Sequence, residues 1–341
     1  MRNTFKDGVV LVTGGTGTVG REIVSAMLKF DPRVVRVFSR DESKQFDMAK
    51  EYRGEKRLRF FVGDVRDKER LTHAMDGVDY IFHTAAMKHV IACEYNPFEA
   101  LKTNLLGTKN VIESSIECGA KKMMLTSSDK ATNPCNTMGV SKLFAERLVT
   151  AANYYKGTSR TVLSSVRFGN IVGSRGSVIP ALRKQIESGG PVTITDKDMT
   201  RFIITRAQAL EFVLKSTLLA KGGEIFIPKM KALRVGDLVD VMIQTYARKG
   251  SKSKIKLEKI GRQPGEKTYE ELMTDEEVTR AVETDDMFIL IPDIPELYER
   301  KYKYPGARPP QVQRYISQDY PPMTREEICS LLKEIGMCDY L

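Results

Sequence analysis

Val9-Val10-Leu11-Val12-Thr13-Gly14-Gly15-Thr16-Gly17-Thr18-Val19-Gly20 is the stretch of this 341-residue chain that decides its fold. An apolar run of strand type ends in glycines at 14, 17 and 20, and a helical pattern follows at once with Ile23, Val24, Met27 and Leu28 on one face. Strand, glycine turn and helix in that order form a dinucleotide site. Gly14 permits the tight turn, Gly17 lets the backbone approach a pyrophosphate, and Gly20 lets the helix pack close to the strand with its N-terminus toward the anion. Gly14, Thr16, Gly17, Thr18, Val19 and Gly20 are therefore candidate cofactor contacts.

Outward from this turn, strand-like runs recur at Val34–Phe38, Arg59–Val62, Tyr80–His83, Lys122–Thr126 and Thr161–Arg167. Helical patterns separate them at Lys68–Met75, Ala100–Glu117 and Met138–Tyr154. Such alternation predicts an α/β fold, a doubly wound parallel sheet of Rossmann type with helices on both faces. The reading places a dinucleotide-binding domain at 1–168 and a smaller substrate-binding region, partly interleaved with it, at 169–341. Further helices are expected at Arg206–Leu219, Val235–Tyr246 and Arg325–Ile335, the last opened by the capping pattern Thr324-Arg325-Glu326-Glu327. Glu296–Tyr320 reads as an extended arm.

Composition narrows the class. Hydrophobic residues make up 41% of the chain, the usual share for a globular protein, and no apolar run approaches the ~20 residues of a membrane span. The first residues lack the apolar core of a signal peptide. The five scattered cysteines form no CxxC pair and no zinc spacing, so reduced thiols and a cytoplasmic location are expected, with no metal. The net charge is +10, but the basic residues are dispersed, and Arg248–Lys254 reads as a solvated loop. A basic surface that favours a polyanionic small substrate fits this pattern better than nucleic acid.

The second strand ends Phe38-Ser39-Arg40-Asp41, where this fold meets the adenosine ribose. Ser39, Arg40 and Lys44 favour the 2′-phosphate of NADP, whereas Asp41, one residue late, keeps NAD open. Asp64, followed by Val65, closes the third strand at the adenine. Ala85 and Ala86, with Lys88 just beyond, let the fourth strand's exit run beneath the cofactor. His83 reads as strand packing.

After the fifth strand comes Thr126-Ser127-Ser128-Asp129-Lys130-Ala131, and Met138-Gly139-Val140-Ser141-Lys142 follows. These motifs continue through Arg167-Phe168-Gly169-Asn170, Ser174–Pro180, Asp198–Phe202 and Gly261-Arg262 with Pro264-Gly265-Glu266-Lys267. In this ordered set the chain resembles the extended short-chain dehydrogenase/reductases, and within them the UDP-N-acetylglucosamine 4,6-dehydratases of polysaccharide and glycan biosynthesis. The resemblance runs from Phe5 to about Glu270. It implies a tightly bound, recycled NADP, UDP-N-acetylglucosamine as substrate and a 4-keto-6-deoxy product. The short segment around Ser174 resembles the members that invert carbon 5. In similar proteins two helices pair with their copies, which implies a homo-oligomer through Leu105, Leu106, Val111 and Ile112 on one helix and Leu143, Phe144, Leu148 and Val149 on the other.

One departure changes the chemistry. The superfamily's catalytic tyrosine position is Met138 here, and a thioether carries no proton at useful pH. The resemblance then passes acid–base work to Asp129 and Lys130. Asp129 is expected to be the acid, its pKa raised by burial, and Lys130 the base, its pKa lowered by burial. Lys142, one turn after Met138, is implied at the nicotinamide ribose. Asn104 matches an asparagine that holds backbone geometry. Lys88, Ser128, Asn170, Val178, Arg201, Arg262 and Glu266 are the implied substrate contacts, since arginine forks suit diphosphate oxygens. A UDP-sugar 4-epimerase and a non-catalytic cofactor-binding regulator are the alternatives; Met138 speaks against the first and the Asp129–Lys130 pair against the second.

Overall fold

The apolar residues of the first strand divide between the two faces of one sheet. In β1 (Val9–Thr13), Val10 and Val12 join Ile23, Val24 and Met27 of the helix Thr18–Leu28 in one buried cluster. Val9 and Leu11 join Leu71, Val111 and Val149 in another. Successive strand side chains point to opposite faces, so a strand covered on both must be apolar throughout. The computed structural model describes residues 2–174, 178–247, 255–262, 264–294 and 302–337.

β2 (Val34–Ser39), β3 (Leu58–Val62), β4 (Tyr80–His83), β5 (Lys122–Thr126) and β6 (Val162–Val166) lie parallel with β1 in the order 3-2-1-4-5-6. The order reverses between β1 and β4, which opens a crevice at the strands' carboxyl ends. Beyond β6 the sheet gains Ile225–Pro228 in parallel, then Met287–Leu290 and Ala281–Glu283 antiparallel. The chain after residue 168 thus returns to the first sheet. It also builds its own cluster from the helices Val178–Glu187, Val235–Tyr246 and Arg325–Glu334 around Ile179, Leu238, Met242 and Ile328. Thr324 and Glu327 form the expected capping box. The fully buried Arg167 ties the two parts, reaching Glu146 at 2.7 Å and Glu277 at 2.8 Å.

Three expectations change. The helix expected over Ala100–Glu117 is interrupted by a π turn at Leu101–Leu106, and Gly107–Glu117 continues as α-helix. The wider turn delivers Asn104 inward, where it accepts from the Met87 amide at 2.8 Å and donates to the Met87 carbonyl at 3.0 Å and to Ser141 Oγ at 2.8 Å. Asn104 therefore staples the exit of β4 to the helix Thr137–Tyr155. Second, Val111, Ile112 and Val149 are buried against the chain's own sheet, so they belong to no partner face. Leu106 and Phe144 stay exposed, with Phe98, Leu101, Val140, Tyr154 and Tyr155 beside them in sequence. Third, the arm expected over Glu296–Tyr320 is anchored over its described residues 302–320, because Tyr304 and Tyr315 are buried in the main core and Tyr315 packs 4.5 Å from Phe202, while residues 296–301 lie outside the described residues. Arg248–Lys254 and residues 175–177 lie outside the described residues. Among the described residues no helix is long and apolar enough to cross a membrane.

Candidate active site

The glycine turn leaves a cradle at the crevice. Gly14 sits at φ +67°, and a Cβ there would lie 2.8 Å from the Ala85 amide nitrogen. A Cβ on Gly20 would collide with the Gly14 carbonyl. Gly17 caps the helix Thr18–Leu28 without a side-chain hydrogen bond, so the cap supplies no acceptor for the first-turn amides. A cradle that a side chain would fill, at the start of an eleven-residue helix, fits a dinucleotide pyrophosphate. Thr16 Oγ1 and Ser39 Oγ lie 2.9 Å apart. Arg40 projects from the end of β2 with 61% of its side chain exposed, 3.7 Å from Asp64. Asp64 also binds Arg66 at 2.7 Å; burial would raise its carboxyl, but Arg66 and Arg40 hold it below the usual range. Asp41 caps the helix Glu42–Glu51 through the Lys44 amide and pairs with the Lys44 ammonium. Both Asp41 and Lys44 are thus engaged locally. Val65 is buried, Ala85 and Ala86 are half-buried, and Lys88 is exposed on the same exit loop.

His83 lies between Thr13 Oγ1 at 2.7 Å and Thr108 Oγ1 at 3.0 Å. Burial pushes its pKa down to about 3, so it is a neutral strut, in line with its sequence reading.

At the end of β5 the backbone turns once through Asp129–Ala131, with Ser128 accepting from the Lys130 amide. Asp129 is 1% exposed. Its Oδ1 accepts from Ser128 Oγ at 2.7 Å and from Lys130 Nζ at 3.1 Å. Lys130 Nζ also lies 3.5 Å from Glu270 Oε1, and Arg201 Nε lies 3.3 Å from the same oxygen. The resulting electrostatics reverse the expected shifts. Burial would raise Asp129, but the Lys130 ammonium and hydrogen bonds with Glu270 and Ser128 hold it below the usual carboxyl value. Burial would lower Lys130, but the Asp129 and Glu270 carboxylates push it above the usual amine value. Burial alone would set both shifts the other way; the facing charges outweigh it. Lys142 behaves as burial dictates. It donates to the Thr126 carbonyl at 2.9 Å, and desolvation lowers it to about 8 despite Glu146. Met138 is buried with Cys93 and Ala100 and offers only packing.

The implied substrate contacts divide into two groups. Arg201 joins the acid–base cluster and also meets Glu266 at 3.3 Å, so its fork faces two carboxylates of its own chain. Asn170 donates to the Phe202 carbonyl at 3.2 Å. Val178 is half-exposed at the start of its helix, and Arg262 is exposed near Asp196. Glu270 was absent from the sequence-derived set. It precedes the strand Glu271–Met273 and is fixed by backbone bonds with Ser317, its amide to Ser317 Oγ at 3.0 Å and its carbonyl from the Ser317 amide at 2.8 Å.

A family profile described as "Polysaccharide biosynthesis protein" matches residues 10–292. A UDP-N-acetylglucosamine 4,6-dehydratase (inverting) from Campylobacter jejuni is 41% identical, covering 85% of this chain and 84% of that protein. A UDP-glucose 4-epimerase from Rickettsia canadensis is 37% identical over 96% of each chain. A solved structure, Pen from Bacillus thuringiensis, superposes with a TM-score of 0.90 at 45% identity, covering 98% of this chain and 99% of that one.

Proposed function

We propose, since the chain belongs to this polysaccharide biosynthesis family of nucleotide-sugar dehydratases and epimerases, that it is a UDP-N-acetylglucosamine 4,6-dehydratase. The observation that carries this reading is the pair of buried Asp129 and half-buried Lys130 at the carboxyl end of β5, with Met138 where a titrating tyrosine would serve an epimerase. When bound, oxidised NADP would supply hydride removal from sugar carbon 4, the 4-hydroxyl proton leaving to water directly or through Lys142, and hydride return to carbon 6 as carbon 5 takes a proton back from solvent. The chain's own residues handle protons. The 4-ketone acidifies carbon 5, Lys130 in its amine form takes that proton, and the C–H electron pair forms the bond to carbon 6 as the C6–O bond breaks. Asp129 in its acid form protonates the departing hydroxyl, which leaves as water. Gly14, Gly17 and the start of the helix Thr18–Leu28 would hold the pyrophosphate, Arg40 the 2′-phosphate, and Lys142 the nicotinamide ribose. Lys88, Ser128, Asn170, Val178, Arg201, Arg262 and Glu266 remain the residues offered to the nucleotide sugar.

Incubation with UDP-N-acetylglucosamine in deuterium oxide tests the reading by proton NMR. A 4-keto-6-deoxy product with deuterium at carbon 5 is expected, in the inverted configuration given by the name of the 41%-identical relative. A 4-epimer would replace the reading with the epimerase, which the Rickettsia relative supports, and unchanged substrate would leave the regulator. The exposed side chains Phe98, Leu101, Leu106 and Phe144 support at least a homodimer through this helical face. Light scattering at micromolar concentration should show it, and a Phe144→Glu chain should shift toward monomer; a fully active wild-type monomer would refute the assembly.

A further inference from the structure

Asp129 Oδ2 is buried and finds no hydrogen-bond donor among the described residues, although Oδ1 of the same carboxylate has two. The neighbouring carboxyl is that of Glu270, which shares the Lys130 ammonium with Asp129, its Oε1 at 3.5 Å and Asp129 Oδ1 at 3.1 Å, and which is itself an acceptor when ionised. Glu270 comes from a segment about 140 residues downstream, and its side chain is 5% exposed. Two buried carboxylates in contact satisfy each other when one proton lies between them. The facing charges are Asp129 and Lys130 from the turn after β5 and Arg201 from the strand Thr200–Ile204, with Glu266 on the far side of Arg201. Two cations thus face Asp129, Glu266 and Glu270.

We infer that Glu270 is the positioning residue of the acid–base pair: its carboxyl carries a proton toward Asp129, and that proton leaves Asp129 and Lys130 free to exchange their own. The inference rests on the dehydratase reading. The Glu270 hydrogen bond keeps Asp129 a carboxylate at rest, but with Glu270 neutral Lys130 faces one carboxylate instead of two, so it can pass one proton to Asp129, giving an amine and a carboxylic acid with no change in total charge. Those are the forms that take the carbon 5 proton and release the hydroxyl as water. After both transfers Lys130 is again an ammonium and Asp129 a carboxylate, and Glu270 has kept its proton. An ionised Glu270 instead clasps Lys130 between two carboxylates and fixes it as ammonium. Burial and the Asp129 charge raise Glu270 to about 7, so it is neutral below that pH and ionised above it.

Turnover of the wild-type holoenzyme should therefore fall as pH rises through about 7. Glu270→Gln keeps a neutral donor of the same shape and should keep turnover at pH 6, with the fall moved to where Lys142 loses its charge, near 8. Glu270→Ala should lose turnover at every pH. Infrared titration of the wild type without substrate should show a protonated-carboxyl stretch at pH 6 that vanishes above pH 8 and is missing in Glu270→Gln. A wild type lacking that stretch at pH 6, or a Gln variant with an unshifted profile, overturns the inference. If no 4-keto-6-deoxy product forms, the dehydratase reading fails alone, because the infrared titration still shows whether Glu270 holds the proton.

Discussion

The cofactor edge and the acid–base cluster both collect charges at the carboxyl ends of the same strands, yet they are built in opposite ways. At the cofactor edge, Asp41 pairs with Lys44 and Asp64 with Arg66, neighbours two or three residues apart in sequence that all keep part of their side chains in solvent. In the cluster, Lys130 meets Glu270 across 140 residues, and Asp129 and Glu270 are almost fully buried. Water screens the first set, so each pair contributes little. The second set has no such screening, so the protonation of each member depends on the others. Proximity in sequence yields helix caps, surface pairs and the adjacent Asp129 and Lys130, whereas the groups that set the field around that pair, Glu270 and Arg201, are brought in by the fold.

Breaking the buried cluster should have the largest effect. Asp129→Asn and Lys130→Ala should each lower turnover about 100-fold or more while substrate binding is largely kept, because acid–base help is worth about 10²–10⁴ in rate. Steady-state kinetics with direct binding measurements check this. Near-normal turnover in either variant would mean that the cluster is only a structural ion pair.

The contrast also explains what could be read in advance. The parallel sheet, the glycine turn, His83 and the capping box at Thr324 follow from local patterns in the sequence, and the structure agrees with each. Asp129 and Lys130 were visible as adjacent letters, but their shifts were not, since Glu270 and Arg201 decide the local field and arrive from other elements. The helical apolar stripe was over-read for a related reason. Periodicity marks Val111, Ile112 and Val149 as buried without saying against what, and the chain's own sheet covers them. The π turn at Leu101–Leu106 left no trace in the apolar pattern because it answers to Asn104, a polar residue with three hydrogen bonds to the distant Met87 and Ser141.

A smaller effect is expected at the cofactor edge. Arg40 is the exposed cation at the end of β2, and its weak 3.7 Å contact with Asp64 leaves its guanidinium able to meet a 2′-phosphate. Arg40→Ala should abolish a preference for NADP over NAD, a loss of about 1.5–3 kcal/mol for one charge-assisted hydrogen bond. Calorimetric titration of both dinucleotides into wild type and variant measures it. An unchanged preference would place specificity elsewhere on the edge.

The smallest effects separate the two roles of Asp41. Its carboxylate accepts from the Lys44 amide at 2.9 Å as the cap of the helix Glu42–Glu51, and it also pairs with the Lys44 ammonium. Losing a cap leaves a helix amide without its acceptor, at a cost of about 1 kcal/mol. Losing an exposed ion pair removes a screened attraction and frees a long side chain, a net cost under about 0.5 kcal/mol. Asp41→Ala should therefore lower the unfolding free energy clearly, and Lys44→Ala should barely change it, in urea titrations run side by side. Asp41→Asn retains a capping oxygen without the charge and should resemble wild type. Equal losses from Asp41→Ala and Lys44→Ala would show that charge pairing matters at this exposed edge as well, and the division between screened and buried charges would fail where it is easiest to measure.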